Sequence, residues 1–240
     1  MNVRILFVLL LTAAWPVSGW SGVGGREDAR IGIRDVWCAY DAFNEVYLDR
    51  AKYIYKSDSA VPAAVDRFNG AAAIWCQPIY WDMAMNAAAL AGRCGERRRA
   101  REYRELCRRI FEGERAHYAG FDFEDNNENT GWFIYDDIMW WTISLARAYA
   151  AFGDEEYLRL SEQSFSRVWY GSERVGDTGS YDETDGGMFW RWCPISNPEP
   201  NRAGDGKMAC INFPAAVAAL TLAVLTFSSS SQMLMVPLLW

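Results

Sequence analysis

Apolar residues recur at steps of three and four along most of the chain, which is the spacing of one face of an α-helix. The longest such stripe begins at Asp35, and four shorter ones follow it. The predicted helices are 35–56, 79–91, 96–111, 137–152 and 155–170. No stretch alternates apolar and polar residues for long enough to indicate a strand, so the pattern predicts an all-α protein.

The predicted helices fall into similar pairs. Residues 87–113 and 144–171 each contain two helical segments, with a glycine ending the first and an acidic residue preceding the second, as an αα-hairpin requires. The pair recurs at about 55 to 60 residues, which predicts a solenoid or a closed ring of hairpins. Six hairpins at that spacing need on the order of 350 residues, more than the 240 of this chain.

The first 19 residues have the pattern of a secretory signal peptide. Arg4 is the charged start, residues 5–14 are apolar apart from Thr12, and 17–19 form a small-residue cleavage site. The apolar stretch is too short to span a membrane. We therefore expect residues 1–19 to be removed, the mature chain to begin at Trp20, and the protein to lie outside the cytoplasm, in the periplasm or secreted.

The charge balance and the motif content exclude several classes of function. A net charge of −7 argues against binding to nucleic acid. His117 is the only histidine, which excludes a histidine-rich metal site and argues against a Ser-His-Asp triad. No Gly-rich phosphate loop is present, so the sequence gives no support to nucleotide chemistry, and we expect no cofactor. The six cysteines form no CxxC pair and fit either disulfides or buried thiols.

Aromatic residues make up 15% of the chain, with 12 each of Trp, Tyr and Phe. Large rings fill protein cores and also stack on sugar rings, and composition does not choose between these roles. Two long loops interrupt the helices. Residues 120–135 are polar, whereas 171–212 contain the aromatic run 186–192. Long loops in compact domains are usually functional or disordered, and this aromatic content predicts that the second loop lines a site.

Asp136 and Asp137 stand side by side inside the aromatic run 132–141. One interpretation is structural: Asp136 caps a helix and Asp137 lies in its first turn, where free backbone N–H groups favour anions. The other is catalytic, because retaining glycosidases place two carboxyl groups about 5 to 5.5 Å apart, one as nucleophile and one as acid/base. Repulsion and an aromatic pocket would raise one pKa and keep that acid protonated.

Several stretches together resemble glycoside hydrolase family 76. They agree with the family in order and rough spacing: 135–137, 140–141, 146–149, 153–158, 186–190, Lys207, Asn212 and Pro214. The resemblance implies an (α/α)6 toroid and an endo-α-1,6-mannanase that acts on α-mannan or manno-oligosaccharides with retention and without a metal. It makes Asp136 the nucleophile and Asp137 the acid/base. The candidates for sugar binding are Trp132, Tyr135, Trp140, Trp190, Trp192, Asn127, Asn129 and Asp185.

The resemblance runs from about Asp35 to Leu222. Residues 223–240 have no charge, hairpin turn or helix cap, so we expect about seven of the twelve toroid helices in a domain spanning 20–222, followed by a tail that is frameshifted or truncated. Serines at 228–231 interrupt its apolar run, which argues against a membrane span. Two alternatives stay open: a non-catalytic or degenerate glycan-binding fragment, and another (α/α)6 carbohydrate-active enzyme. The oligomeric state stays open as well.

Overall fold

The computed structural model describes residues 31–198 and 206–230, with side chains as far as 226. The predicted signal segment 1–19 and the end of the tail lie outside the described residues. The chain divides between Tyr40 and Asp41 into two units, and the described part of the first is 31–40. The helices are α1 (Ile33–Tyr47), α2 (Cys76–Arg93), α3 (Arg97–His117), α4 (Tyr135–Phe152), α5 (Glu155–Tyr170) and α6 (Ala209–Ser230).

A short antiparallel hairpin follows α1, where the sequence predicted more helix. Its strands are β1 (Leu48–Asp49) and β2 (Ile54–Tyr55), with Leu48 opposite Tyr55. The Asp49 carboxylate accepts hydrogen bonds from the backbone N–H of Ala51 at 2.9 Å and of Lys52 at 3.3 Å. These local bonds turn the chain. The predicted helix 35–56 was therefore wrong beyond Tyr47, because the apolar spacing continues through the hairpin.

The remaining helices pair as predicted. α2 packs on α3, and α4 packs on α5. Gly95 and Gly153 stand at the two breaks with φ near +74°, a left-handed conformation that glycine adopts without a steric penalty. The side chain of Asp154 accepts a hydrogen bond from the backbone N–H of Glu156 and caps α5. These contacts confirm the all-α class and the hairpin organisation that the glycine and acid signals indicated.

Helix α4 lies at the centre of the helical packing. It contacts α2 on one side and α6 on another, in addition to α5. Its buried side chains cover most of the circumference, and the less buried face carries Asp136 and Trp140. Leu222 and Leu225 of α6 cluster with Ala146 of α4 and Leu158 of α5. Helix α4, whose first turn holds the two aspartates, is thus packed against three other helices.

Much of the aromatic content fills this core. The Trp141 ring of α4 lies 6.2 Å from that of Trp81 on α2 and 4.9 Å from that of Phe121. Phe111 of α3 and Tyr157 of α5 meet edge to face at 4.7 Å. These rings join four helices in one cluster. Core packing, one of the two roles that composition left open, therefore accounts for this part of the aromatic content.

Helix α6 is the most apolar element. Within the described residues, its segment Ala209–Thr226 is one helix whose length and composition would allow it to cross a membrane, with a mean hydropathy of 1.9. This is weak evidence for a span, since core helices of soluble proteins have the same properties. The serines at 228–231, which argued against a span, lie beyond this segment.

The six cysteines are all free thiols in the structure. Cys107 and Cys193 are buried, Cys76 is half-buried, and Cys38, Cys94 and Cys210 are exposed. The structure therefore favours free thiols over disulfides, although only two of the six are buried as the thiol interpretation expected.

Candidate active site

Asp136 and Asp137 occupy the first turn of α4. The residue that precedes the helix is Ile134, in an extended conformation, and no side chain caps the helix there. The interpretation of Asp136 as a simple N-cap was therefore wrong. Backbone N–H groups at a helix start lack intrahelical partners and attract anions, so this position accommodates two neighbouring carboxyl groups.

The Asp137 carboxyl group is the more enclosed of the two, and the residue is 7% exposed. Burial raises its pKa to about 7, and the neighbouring charge of Asp136 adds to the increase. The guanidinium of Arg67, whose Nη2 lies 3.8 Å from Asp137 Oδ2, opposes it. Asp137 is therefore a carboxylic acid that retains its proton at far higher pH than an ordinary aspartate.

The Asp136 carboxyl group has a different environment. Burial also raises its pKa, but the Cys210 thiol and the backbone N–H groups of Asp136 and Asp137 lower it through hydrogen bonds. Its Oδ1 atom is buried and has no hydrogen-bond partner among the described residues. Two adjacent carboxyl groups with different surroundings are the arrangement that separates an acid from a carboxylate nucleophile.

The second long loop, which contains the aromatic run 186–192, is joined to the start of α4 by backbone hydrogen bonds. The N–H of Tyr135 donates to the carbonyl of Trp190 at 2.9 Å, and the N–H of Trp192 donates to the carbonyl of Phe133 at 3.0 Å. Ile134 and Arg191 form the β-bridge between these bonds. The prediction that this loop belongs to the site is supported by its position directly beside the aspartates.

Two residues near the start of α6 hold the same loop. Asn212 accepts from the N–H of Met188 and donates to its carbonyl, each at 3.0 Å. The Lys207 ammonium pairs with Asp182 at 2.6 Å and lies 5.3 Å from the centre of the Phe189 ring. A Cβ at Gly187, where φ is +81°, would lie 3.1 Å from the Lys207 chain. Lys207 and Asn212 therefore hold this loop in place.

A network of buried polar side chains includes Tyr135, the first residue of α4. The Tyr135 hydroxyl donates to Asp177, and Asp177 forms an ion pair with Arg167 of α5. Asp177 also accepts from the N–H of Gly179 at 3.1 Å, and Arg167 donates to the carbonyl of Phe123 at 3.1 Å. The network thus connects α5, the start of α4 and both long loops.

Comparison with known proteins agrees with this arrangement. The family model described as "Glycosyl hydrolase family 76" matches residues 40–233. The chain belongs to glycosyl hydrolase family 76. The match extends 11 residues past Leu222, where the resemblance visible in the sequence ends. No curated protein matches the chain.

A solved structure shares the fold with this family 76 chain. It is an inactive variant of α-1,6-mannanase GH76A from Salegentibacter sp. HEL1_6, with two consecutive aspartates changed to asparagine, in complex with α-1,6-mannotriose. The TM-score is 0.54 at 19% sequence identity, and the similarity covers 80% of the present chain. The chain spans 45% of the length of that mannanase.

The predicted sugar-binding aromatics of the family 76 chain divide by burial. Trp140, Trp190 and Trp192 are half-buried, and Trp192 lies 6.1 Å from Phe133, ring to ring. The structure instead places Trp132 and Tyr135 in the interior. Trp132 is 1% exposed because it packs among core rings, and the buried Tyr135 hydroxyl belongs to the Asp177 network.

The predicted polar candidates lie on exposed loops. Asn127 and Asn129 are in the loop before α4, where Asn127 accepts from the N–H of Asn129 at 2.8 Å. Asp185 stands in the turn that Asp182 caps, and its N–H donates to Asp182 at 3.3 Å. Each of these hydrogen bonds joins residues of one loop, and the exposed side chains are accessible to a sugar.

Arg67 is the site residue that sequence reasoning missed. It lies 70 positions before Asp137, in a loop with no motif, and only the fold brings the two together. Within residues 31–198 and 206–230, no group of three or more His, Cys, Asp and Glu residues is arranged to hold a metal ion. A cavity of about 540 Å³ lies elsewhere, between α5 and residues 121–124, and neither Asp136 nor Asp137 lines it.

Proposed function

We propose that this family 76 chain is an exported retaining glycoside hydrolase that cleaves α-1,6-mannosidic linkages in mannan. Asp136 is the nucleophile, and Asp137 is the acid/base. The observation that supports this most directly is the pair of adjacent carboxyl groups in the first turn of α4, of which Asp137 has its pKa raised to about 7.

The choice of linkage follows from the structural neighbour. That protein is an α-1,6-mannanase bound to α-1,6-mannotriose, and its inactive variant has two consecutive aspartates replaced. The present chain also has two consecutive aspartates, at a helix start beside aromatic side chains. We infer the same linkage and the same use of paired carboxyl groups.

In the first step the Asp136 carboxylate attacks the anomeric carbon and forms an ester, while the glycosidic C–O bond breaks and Asp137 gives its proton to the leaving oxygen. The backbone N–H groups at the start of α4 and the Cys210 thiol favour the anionic form of Asp136. Burial and the Asp136 charge keep the proton on Asp137.

In the second step Asp137 removes a proton from water, the hydroxide oxygen bonds to the anomeric carbon, and the ester bond to Asp136 breaks. Ester formation has by then removed the Asp136 charge, which is one of the causes of the raised Asp137 pKa. The pKa of Asp137 therefore falls in the ester intermediate, and the same group becomes a better base. The half-buried Trp140, Trp190 and Trp192 supply ring faces for the sugar.

The test is hydrolysis of linear α-1,6-manno-oligosaccharides by the mature chain, with D136N, D137N and D58N beside it. Asp58 is an exposed loop aspartate and a matched control for the same change. We expect cleavage by wild type and D58N, and a loss of about 10²- to 10⁴-fold in D137N. Far-ultraviolet circular dichroism confirms folding. A folded wild-type chain that binds but does not cleave would contradict the proposal and favour a glycan-binding fragment.

Two further measurements separate the roles of the aspartates. With a dinitrophenyl α-mannoside, whose leaving group needs no proton, D137N should still release dinitrophenolate in a burst, whereas D136N should not. Proton NMR of the first product should show the α-anomer. A β-anomer would refute retention, and products with uronic acid rather than mannose would indicate a different (α/α)6 enzyme.

Export is tested separately. Residues 1–19 lie outside the described part of the chain, and their composition supports a signal peptide. N-terminal sequencing of the protein secreted by an expressing cell should begin at Trp20. Retention of the full-length chain in the cytoplasm would contradict the proposed localisation.

A further inference from the structure

Arg67 stands in a tight turn between β2 and α2. The Asp66 carboxylate accepts hydrogen bonds from the backbone N–H groups of Phe68 and Asn69, each at 2.9 Å, and from the Asn69 side chain. Bonds of this kind fix a loop without regular secondary structure. The turn therefore presents the Arg67 side chain in a defined direction.

The guanidinium of Arg67 is held on several sides. Nη1 donates to the carbonyl of Gly131, and Nη2 lies 3.8 Å from Asp137 Oδ2. The ring centres of Phe68 and Phe133 lie 5.7 Å and 5.8 Å from its central carbon. The Arg67 side chain is 14% exposed. A planar cation held by a carbonyl and two rings loses little additional freedom when it meets a carboxylate.

The Asp137 carboxyl group faces titratable groups from several elements. Asp136 is its neighbour on α4, Cys76 is at the start of α2, and Tyr118 follows α3. Arg67 is the group that brings a positive charge. In the second step of the proposed reaction Asp137 carries a negative charge in a buried place, where an unpaired carboxylate is unstable.

We propose that Arg67 is a positioning residue for Asp137: it fixes the carboxyl group beside the substrate and stabilises its ionised form. The proposal rests on the acid/base role assigned to Asp137 above. The contact of Arg67 with the Gly131 carbonyl also joins the turn at 66–69 to the loop that leads into α4. Arg67 thereby couples the position of the acid/base to two loops that are distant in sequence.

The first test does not require activity. Carbon-13 NMR of the side-chain carboxyl groups follows the titration of Asp137 in wild type, R67M, R67K and R98M, with D137N assigning the signal. Arg98 forms an exposed ion pair with Glu102 on α3 and is the matched control. We expect the Asp137 pKa to rise in R67M because the opposing cation is gone, and to stay near the wild-type value in R98M. An unchanged Asp137 titration in a folded R67M would overturn the proposal.

The second test is kinetic. In R67M we expect kcat on linear α-1,6-manno-oligosaccharides to fall by about 10- to 100-fold with a smaller change in KM, since misplacement of a reacting group affects the chemical step. The alkaline limb of kcat/KM should move to higher pH, because Asp137 must be protonated in the first step and R67M raises its pKa. R67K keeps the charge and should restore the limb but only part of kcat. An alkaline limb in R67M at the wild-type position would contradict the assignment.

The two proposals fail in different ways. A folded wild-type chain without hydrolysis, but with an Asp137 titration that depends on Arg67, would refute the proposed function and leave the Arg67 contact supported. Hydrolysis with an Asp137 titration that ignores Arg67 would refute the positioning role alone.

Discussion

The buried pair of Arg167 and Asp177 gives the sharpest prediction about stability. Asp177 and Arg167 have almost no exposed side-chain surface. The change D177N keeps the size of the side chain and an acceptor for the Tyr135 hydroxyl, but it removes the charge that balances Arg167. Breaking a buried ion pair by removing one partner typically costs about 3 to 5 kcal/mol.

A loss of this size is a large part of the stability of a domain, which is about 5 to 15 kcal/mol in total. Since each kcal/mol shifts Tm by about 2 to 4 °C at this chain length, D177N should lower Tm by about 6 to 20 °C. The control is D122N. Asp122 pairs with Arg174 at 2.7 Å on the surface, and exposed pairs contribute about 0 to 1 kcal/mol.

The assay is urea unfolding followed by far-ultraviolet circular dichroism, for wild type, D177N, R167M, D122N and the double variant R167M/D177N. Removal of the unpaired Arg167 charge should make the double variant less destabilised than the sum of its single changes. Equal losses in the free energy of unfolding for D177N and D122N, within about 1 kcal/mol, would refute the special cost assigned to the buried charge.

Three further predictions concern single side chains. W132A should lower the free energy of unfolding by about 3 to 5 kcal/mol in urea titrations, because Trp132 packs in the core; a loss of sugar binding at unchanged stability would contradict this placement. Burial raises the pKa of Glu114 well above its usual range, so the folded state holds a proton that the unfolded state releases, and stability should fall as pH rises above about 4.3; E114Q should flatten that decline in unfolding measured across pH, and an unchanged slope would count against it. C210A removes a hydrogen bond that lowers the pKa of Asp136, so the acidic limb of kcat/KM should move to higher pH, whereas C210S should keep it near the wild-type position.

The helices were predictable where local residues mark their ends. Gly153 and Asp154 end α4 and cap α5, and the bounds predicted for these helices agree with the structure within two residues. The end of α1 was not predictable from periodicity, because Ala51 and Ile54 continue the apolar spacing through the hairpin. The Asp49 carboxylate determines that turn through its local bonds to Ala51 and Lys52 and through a tertiary bond from the N–H of Ala64 at 3.0 Å.

The candidate site was predictable only in part. Two acids inside an aromatic run are visible in the sequence because burial of a carboxyl group needs a reason. The partner of Asp137 is not visible, since Arg67 reaches it through folding across 70 positions. The burial of Trp132 could not be foreseen either, because a tryptophan in a core and one on a sugar platform are alike in sequence.

The pairing of residues 133–135 with 190–192 affects how this candidate site can change in evolution. The hydrogen bonds that hold the two segments together join peptide groups, so they do not depend on which side chains stand at positions 190 and 192. Exchange of those side chains can alter the fit to a glycan while the peptide bonds keep the aspartates in place. An insertion between the paired residues, in contrast, would shift the register and move the carboxyl groups together with the loop. Substitutions, rather than changes of loop length, are therefore the route by which the fit to a glycan can diverge at this site while the two aspartates keep their positions.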